Sequence, residues 1–265
     1  MAETYRIWKT PCTFSGWGMT TTKSSPPWKN VFEGCELSNV LGFQQADERL
    51  RELNREGKFV LSLFSESPDM DFALNELKWR HYLIYWSALH AAQNTRSKQK
   101  NYVECGVCDG MAIFYVLNAA KNVGAISKAY LYDSWEEMKP ELLLPSEKGS
   151  AGDYAYLSIE QTRENLREYR DDVVFNRGYI PDSFATSENP ESIAWMHIDL
   201  NSALPTEAAL NYFYDRLEIG GVVLLDDYGW LAYTDTKRVV DKFFKNKKDA
   251  ELLHLPTGQA IVFKR

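Results

Sequence analysis

The chain has 265 residues, a formal net charge of −7, 45% hydrophobic and 25% charged residues, a composition of ordinary water-soluble proteins. That length accommodates one large α/β domain with a modest appendage. The acidic balance argues against a nucleic-acid surface, which needs clustered Lys and Arg; no apolar run approaches the roughly 20 residues of a membrane span, and no signal-peptide stretch is recognisable.

Residues 1–43 carry turn formers (Ser24, Ser25, Pro26, Pro27) among scattered aromatics and predict irregular structure or a short hairpin. Residues 44–95 read as helices. Leu50, Leu53, Phe59, Leu61 and Leu63 fall in and after the first, which Gly57 ends. The second runs from about Met70 to Ala92, with Phe72, Leu74, Leu77, Leu83, Ile84, Trp86 and Leu89 as its apolar positions. Arg96 to Lys100 reads as a polar linker. From Asn101 onward, short apolar runs alternate with helical stretches, the signature of βαβ units on a parallel sheet. The predicted strands are Tyr102–Glu104, Ala129–Asp133, Val173–Asn176, Ile193–Asp199 and Gly221–Asp226, followed by Ala250–His254 and Gln259–Phe263 joined by Pro256, Thr257 and Gly258. Helices are expected at Met111–Asn122, Ile159–Glu168, Thr206–Leu217 and Thr236–Lys245.

Three clusters carry chemistry. The first strand runs into Glu104-Cys105-Gly106-Val107-Cys108-Asp109-Gly110. An acid at a strand end followed by Gly-x-x-x-Gly lets the backbone approach a ligand at the carboxyl edge of the sheet. A dinucleotide dehydrogenase would have glycine where Glu104 stands, and a carboxylate there repels pyrophosphate but suits the ammonium of an amino-acid ligand. Cys105 and Cys108 form a Cys-x-x-Cys with no second pair at zinc spacing, so they read as small buried residues. With Cys12 and Cys35 they make four cysteines, too few for a disulfide framework in a chain this long; the expected compartment is the reducing cytoplasm. The second cluster is Asp133-Ser134-Trp135, where an acid ending the second strand can hold a ribose diol and the indole can cover an adenine. The third brings Asp199 and the pair Asp226-Asp227 to neighbouring strand ends. Three carboxylates there repel one another unless a cation lies among them, and hard oxygen ligands suit magnesium.

These stretches, with Asn176-Arg177-Gly178-Tyr179-Ile180-Pro181-Asp182-Ser183-Phe184 and Gly220-Gly221 through Gly229, resemble the macrocin O-methyltransferase (TylF-like) family from about residue 100 to the C-terminus. The resemblance implies a class I methyltransferase, Rossmann-like α/β fold: a mostly parallel seven-stranded sheet with an antiparallel C-terminal hairpin strand. Residues 101–265 would form this domain and residues 1–100 an irregular and helical extension shaping the acceptor pocket. It implies S-adenosylmethionine bound by Glu104, Gly106 and Asp133, with Cys105, Gly110, Ser134, Trp135, Gly178 and Asp199 in the same cofactor site. Magnesium would be held by Asp199, Asp226 and Asp227. The expected reaction is O-methylation of a small molecule, a sugar hydroxyl of a natural product or glycan precursor, by a cytoplasmic homo-oligomer (dimer or higher) with no nucleic-acid or membrane partner. Residues 136–156, with Gly149, Ser150 and Gly152, would form a mobile lid.

One departure bears on mechanism. The family usually has a second Asp two residues after the first metal ligand, as general base; here that position is Asn201. An amide accepts no proton at useful pH. Asp199, Asn201 and His197 therefore form the candidate catalytic group, with His197 or His254 as a proton acceptor beside the metal. Alternatively the acceptor is already anionic (phosphate, carboxylate or phenol). A milder departure is Met111-Ala112, where a small-residue pair often follows Gly110. The rival readings are a non-catalytic cofactor- or partner-binding fold and a nicotinamide oxidoreductase.

Overall fold

The computed structural model describes residues 42–62, 74, 77–255 and 257–265, and for Leu231 only the backbone. The expectations for residues 1–41, for the start of the second helix and for Leu63 and Pro256 lie outside the described residues.

Among the described residues two helices precede the sheet, α1 (Phe43–Arg55) and α2 (Lys78–Asn94). Then follow β1 (Gln99–Cys105), α3 (Met111–Asn122), β2 (Ile126–Asp133), α4 (Ile159–Asn165), β3 (Val173–Arg177) and β4 (Ile193–Ile198). The chain ends with α5 (Ala203–Phe213), β5 (Leu217–Leu225), α6 (Thr234–Phe244), β6 (Ala250–His254) and β7 (Ala260–Lys264). The seven strands lie in the order β3-β2-β1-β4-β5-β7-β6. β1 to β5 pair in parallel, and β7 enters antiparallel between β5 and β6. This is the expected class I arrangement.

The two faces follow from strand alternation. Ala129, Leu131, Val222 and Leu224 join the core beneath α1, α2 and α3, whereas Tyr130, Tyr132, Val223 and Leu225 join the core beneath α5 and α6. Helix α2 lies against α3 and also against β4 and β5. The N-terminal helices thus share one continuous core with the sheet.

Several boundaries differ from the sequence expectation. β1 begins at Gln99, not Tyr102, so the supposed linker ends earlier. The Lys100 ammonium is buried and compensated by the carbonyl and hydroxyl of Thr95, at 2.8 and 3.0 Å, and so needs no solvent. β5 begins at Leu217 and runs through Gly220-Gly221. A Cβ at Gly220 would stand 2.4 Å from the Asn94 carbonyl oxygen, so these glycines let the strand pass the end of α2 and do not break it. α5 starts at Ala203 with Pro205 in its first turn, where the missing N–H would have had no helical partner. α4 ends at Asn165 and is followed by a 3₁₀ turn over Arg167–Tyr169.

Candidate active site

The carboxyl ends of β1, β2 and β4 open into one cavity, walled on the far side by α2 and by residues 134–158. Glu104, Gly106, Asp133, Ser134, Gly178 and His197 line it, together with Asp199, Asn201 and Asp226. Register explains much of this convergence: Glu104 stands beside His197, and His197 beside Leu224. Asp199 and Asp226 lie two residues beyond His197 and Leu224, so their parity directs them to the α2 side of the sheet.

The first turn is held by main-chain geometry. Gly106 has φ +86°, and a Cβ there would lie 1.9 Å from the Asp199 carbonyl oxygen. Only glycine lets the turns after β1 and β4 meet so closely. Asp133 accepts the N–H groups of Val107 and Cys108 on one oxygen, at 2.7 and 2.9 Å, and that of Trp135 on the other, at 2.7 Å. Burial raises its pKa while these donors oppose the shift. A carboxylate offers about four acceptor sites, so Asp133 retains capacity for a ligand hydroxyl.

Glu104 is buried and its pKa lies well above the usual range, first through desolvation, then through the charges of Asp199 and Asp133. One oxygen lies 3.1 Å from His197 Nδ1, and Oε2 has no hydrogen-bond partner among the described residues. A buried carboxyl with an unmatched oxygen fits the ammonium of an amino-acid-bearing cofactor. His197 is lowered to about 4, chiefly by burial. Its Nε2 also lacks a hydrogen bond and faces Asp226 Oδ1 at 3.7 Å.

The carboxylates at the ends of β4 and β5 are treated unequally. His197, Asp199 and Asp226 bring ligand atoms within 4.8 Å of one another. Asp226 accepts the Gln259 amide at 2.8 Å and is ion-paired with Arg80. Asp227 accepts the Asn201 main-chain N–H at 2.7 Å and its side-chain amide at 2.9 Å. Burial, reinforced by Asp199, pushes Asp227 up to about 8. The Asp199 carboxylate accepts no hydrogen bond among the described residues. This donor set, with an unpartnered imidazole nitrogen beside carboxylates, is compatible with a divalent cation.

Other expected site residues are placed elsewhere. The Trp135 indole does not wall the cavity: at φ +48° it turns into the core, where Nε1 donates to the Cys108 carbonyl and Thr162 hydroxyl, at 3.2 and 3.0 Å. The Cys105 side chain belongs to the opposite core, and its carbonyl accepts the Asp199 N–H at 2.9 Å. Gly110 begins α3 at φ +85° against Leu166 and Thr162. His254 is exposed and packs edge-on against Tyr228, away from the cavity lining. Asp227 likewise lies behind the lining residues.

Sequence reading missed Arg80, Gln259, Glu147 and Tyr154. Arg80 sits in the first turn of an otherwise aromatic helix, a signal of buried pairing. Tyr154, at φ +68°, donates its hydroxyl to Asn201 Oδ1 at 2.7 Å. Met138, Leu142, Leu143 and Leu157 of the same segment also line the cavity. Glu147 accepts the Ser202 hydroxyl at 3.0 Å and the Ala203 N–H at 2.8 Å, so the expected lid is fastened to the β4–α5 turn at two points.

Residues 89–264 match the family model described as macrocin-O-methyltransferase (TylF). The solved structure of the O-methyltransferase NovP superposes with a TM-score of 0.61 at 21% identity, covering 70% of this chain and 79% of NovP. A structure of the calicheamicin methyltransferase CalS11 gives a TM-score of 0.55 at 15% identity, covering 83% and 91% of the two chains. Another structure of that protein, described as a TDP-rhamnose 3'-O-methyltransferase in calicheamicin biosynthesis, gives 0.50 at 16% identity over 83% and 93%. At these identities the likeness is one of fold. No curated protein matches the chain.

Proposed function

This chain belongs to the macrocin-O-methyltransferase (TylF) family and is an S-adenosylmethionine-dependent O-methyltransferase; we propose that it methylates a sugar hydroxyl of a natural product or glycan precursor with help from a divalent cation. The observation that carries the cofactor placement is the buried, unmatched Oε2 of Glu104 on the same cavity as Asp133. S-adenosylmethionine supplies the methyl group. Glu104 is the residue for its ammonium and Asp133 for its ribose, while Gly106, Ser134 and Gly178 border it without bulky side chains.

The sugar assignment is supported by the fold shared with CalS11, a TDP-rhamnose 3'-O-methyltransferase. A cation held by Asp199, Asp226 and His197 Nε2, with Asp227 lying behind them and not serving as the expected third carboxylate ligand, would lower the pKa of the acceptor hydroxyl. Asn201 supplies no base, since its amide already serves Tyr154 and Asp227. His197 has a depressed pKa and a nitrogen engaged with Glu104. Asp199 is therefore the carboxylate available to orient the acceptor oxygen or take its proton. An acceptor that is already anionic would dispense with that proton transfer.

Calorimetric titration with S-adenosylhomocysteine, with magnesium and then with chelator, tests the cofactor half. Binding on the order of −8 kcal/mol is expected, weakened at least tenfold by Glu104→Gln. An absence of heat in both conditions would refute the assignment.

A further inference from the structure

We propose that Arg80 is a resident counter-ion of the strand-end carboxylates and competes with a divalent cation for Asp226. The inference rests on the cation being part of the proposed function, and deepens it by naming what sets the cation's affinity.

Asp226 carries a buried ion pair with a guanidinium. Gln259 donates to Oδ1 at 2.8 Å, and the Arg80 guanidinium is ion-paired with Oδ2, which makes no hydrogen bond among the described residues. Both partners of the ion pair are nearly sealed from solvent, with side chains 10% and 2% exposed. Among the described residues, His197 Nε2 has no hydrogen-bond partner, and Asp199 has neither a hydrogen bond to its carboxylate nor a guanidinium or ammonium paired with it. A cation at His197, Asp199 and Asp226 therefore meets a carboxylate, Asp226, that already has a counter-ion. To gain Asp226 it must displace a guanidinium, a group that stays charged at every working pH and binds carboxylate through a planar fork.

The position of Arg80 makes the competition persistent. It lies in the first turn of α2, and α2 is fixed against β4, β5 and α3. Arg80 also lies with its guanidinium carbon 5.8 Å from the centre of the Trp230 ring, a face that can keep the displaced group nearby. The helical extension, not the sheet alone, then decides how tightly the cluster holds metal. Arg80 acts through Asp226 and is a positioning residue in this scheme.

The test is titration of the full-length protein with Mn²⁺, followed by calorimetry and by electron paramagnetic resonance of the free ion. Arg80→Gln should bind Mn²⁺ at least tenfold more tightly than wild type. Arg80→Lys, which keeps the charge without the fork, should fall between them and serves if Arg80→Gln folds poorly. In thermal melts, saturating Mn²⁺ should raise the Tm of the substituted proteins by more than that of wild type. Equal affinity in all three proteins overturns the competition and leaves the methyltransferase reading standing. Absence of Mn²⁺ binding in all three overturns the competition together with the cation assignment. S-adenosylhomocysteine binding, measured on the same samples, judges the cofactor reading separately.

Discussion

Around Asp133 the donors are the main-chain N–H groups of Val107, Cys108 and Trp135, whereas around Asp226 and Asp227 they are mostly the side chains of Arg80, Gln259 and Asn201. The first arrangement follows from the path of the chain through one turn. The second is assembled from α2, from the β4–α5 turn and from the start of β7, and exists only when those elements have docked. Main-chain donors cannot be substituted away, but each side-chain donor can. The Asp133 half of the cavity should therefore fail as a backbone, and the Asp226–Asp227 half group by group.

The largest effect should come from Gly106→Ala. A methyl 1.9 Å from the Asp199 carbonyl, at φ +86°, forces apart the turns after β1 and β4, at a cost of about 3 kcal/mol or more. Urea denaturation would show the loss, and S-adenosylhomocysteine affinity should fall with it. A variant of wild-type stability would mean that the two turns do not meet as described.

Asn201→Asp probes the other half and should act less. It restores the family's usual residue, yet the new carboxylate would lie where the amide now donates to Asp227 at 2.9 Å. Loss of that donor and apposition of like charges should remove about 2 kcal/mol of stability at pH 8. No gain in methyl transfer is expected. A stable, faster enzyme would overturn this account of Asn201.

These outcomes bear on what the sequence could reveal. Glu104, Asp133, Asp199 and Asp226 were legible because an acid closing an apolar strand is a local pattern, and parallel order carries such ends to one edge. The cofactor turn was legible for the same reason. Trp135 was misjudged because adjacency to Asp133 says nothing about the left-handed backbone that swings its indole into the core. Arg80 and Gln259 were opaque since each pairs with Asp226 from a distant segment, Arg80 from the second helix and Gln259 from the start of the last strand. Tyr154 lay in a stretch whose glycines suggested mobility, and its bond to Asn201 has no local signature.

A further effect is a pH dependence contributed by His81, the neighbour of Arg80 on α2. It is buried, stacked on Tyr115, and lowered from 6.5 to about 3, chiefly by desolvation. Its folded pKa is depressed, so the unfolded chain binds the extra proton. The contribution is complete above about pH 6.5 and is lost as pH falls towards 3, with a slope of up to about 1.4 kcal/mol per pH unit. His81→Phe preserves an aromatic ring and should flatten the stability profile by up to that slope across this window. Denaturation at pH 6 and at pH 4.5 would reveal it, and parallel profiles would show that His81 is not buried in its neutral form. His197, also depressed, bends the profile in the same direction and stays in both proteins.

Glu147 has a consequence for acceptor choice. The amino end of a helix, with its unpaired N–H groups and partial positive charge, is where α/β proteins commonly seat a phosphate. At α5 that seat is already filled by a carboxylate from the protein's own overlying segment, which takes the Ala203 N–H. An internal anion thus guards the natural oxyanion pocket beside Asp199. A nucleotide-linked sugar entering this cavity would have to seat its diphosphate somewhere other than this helix end.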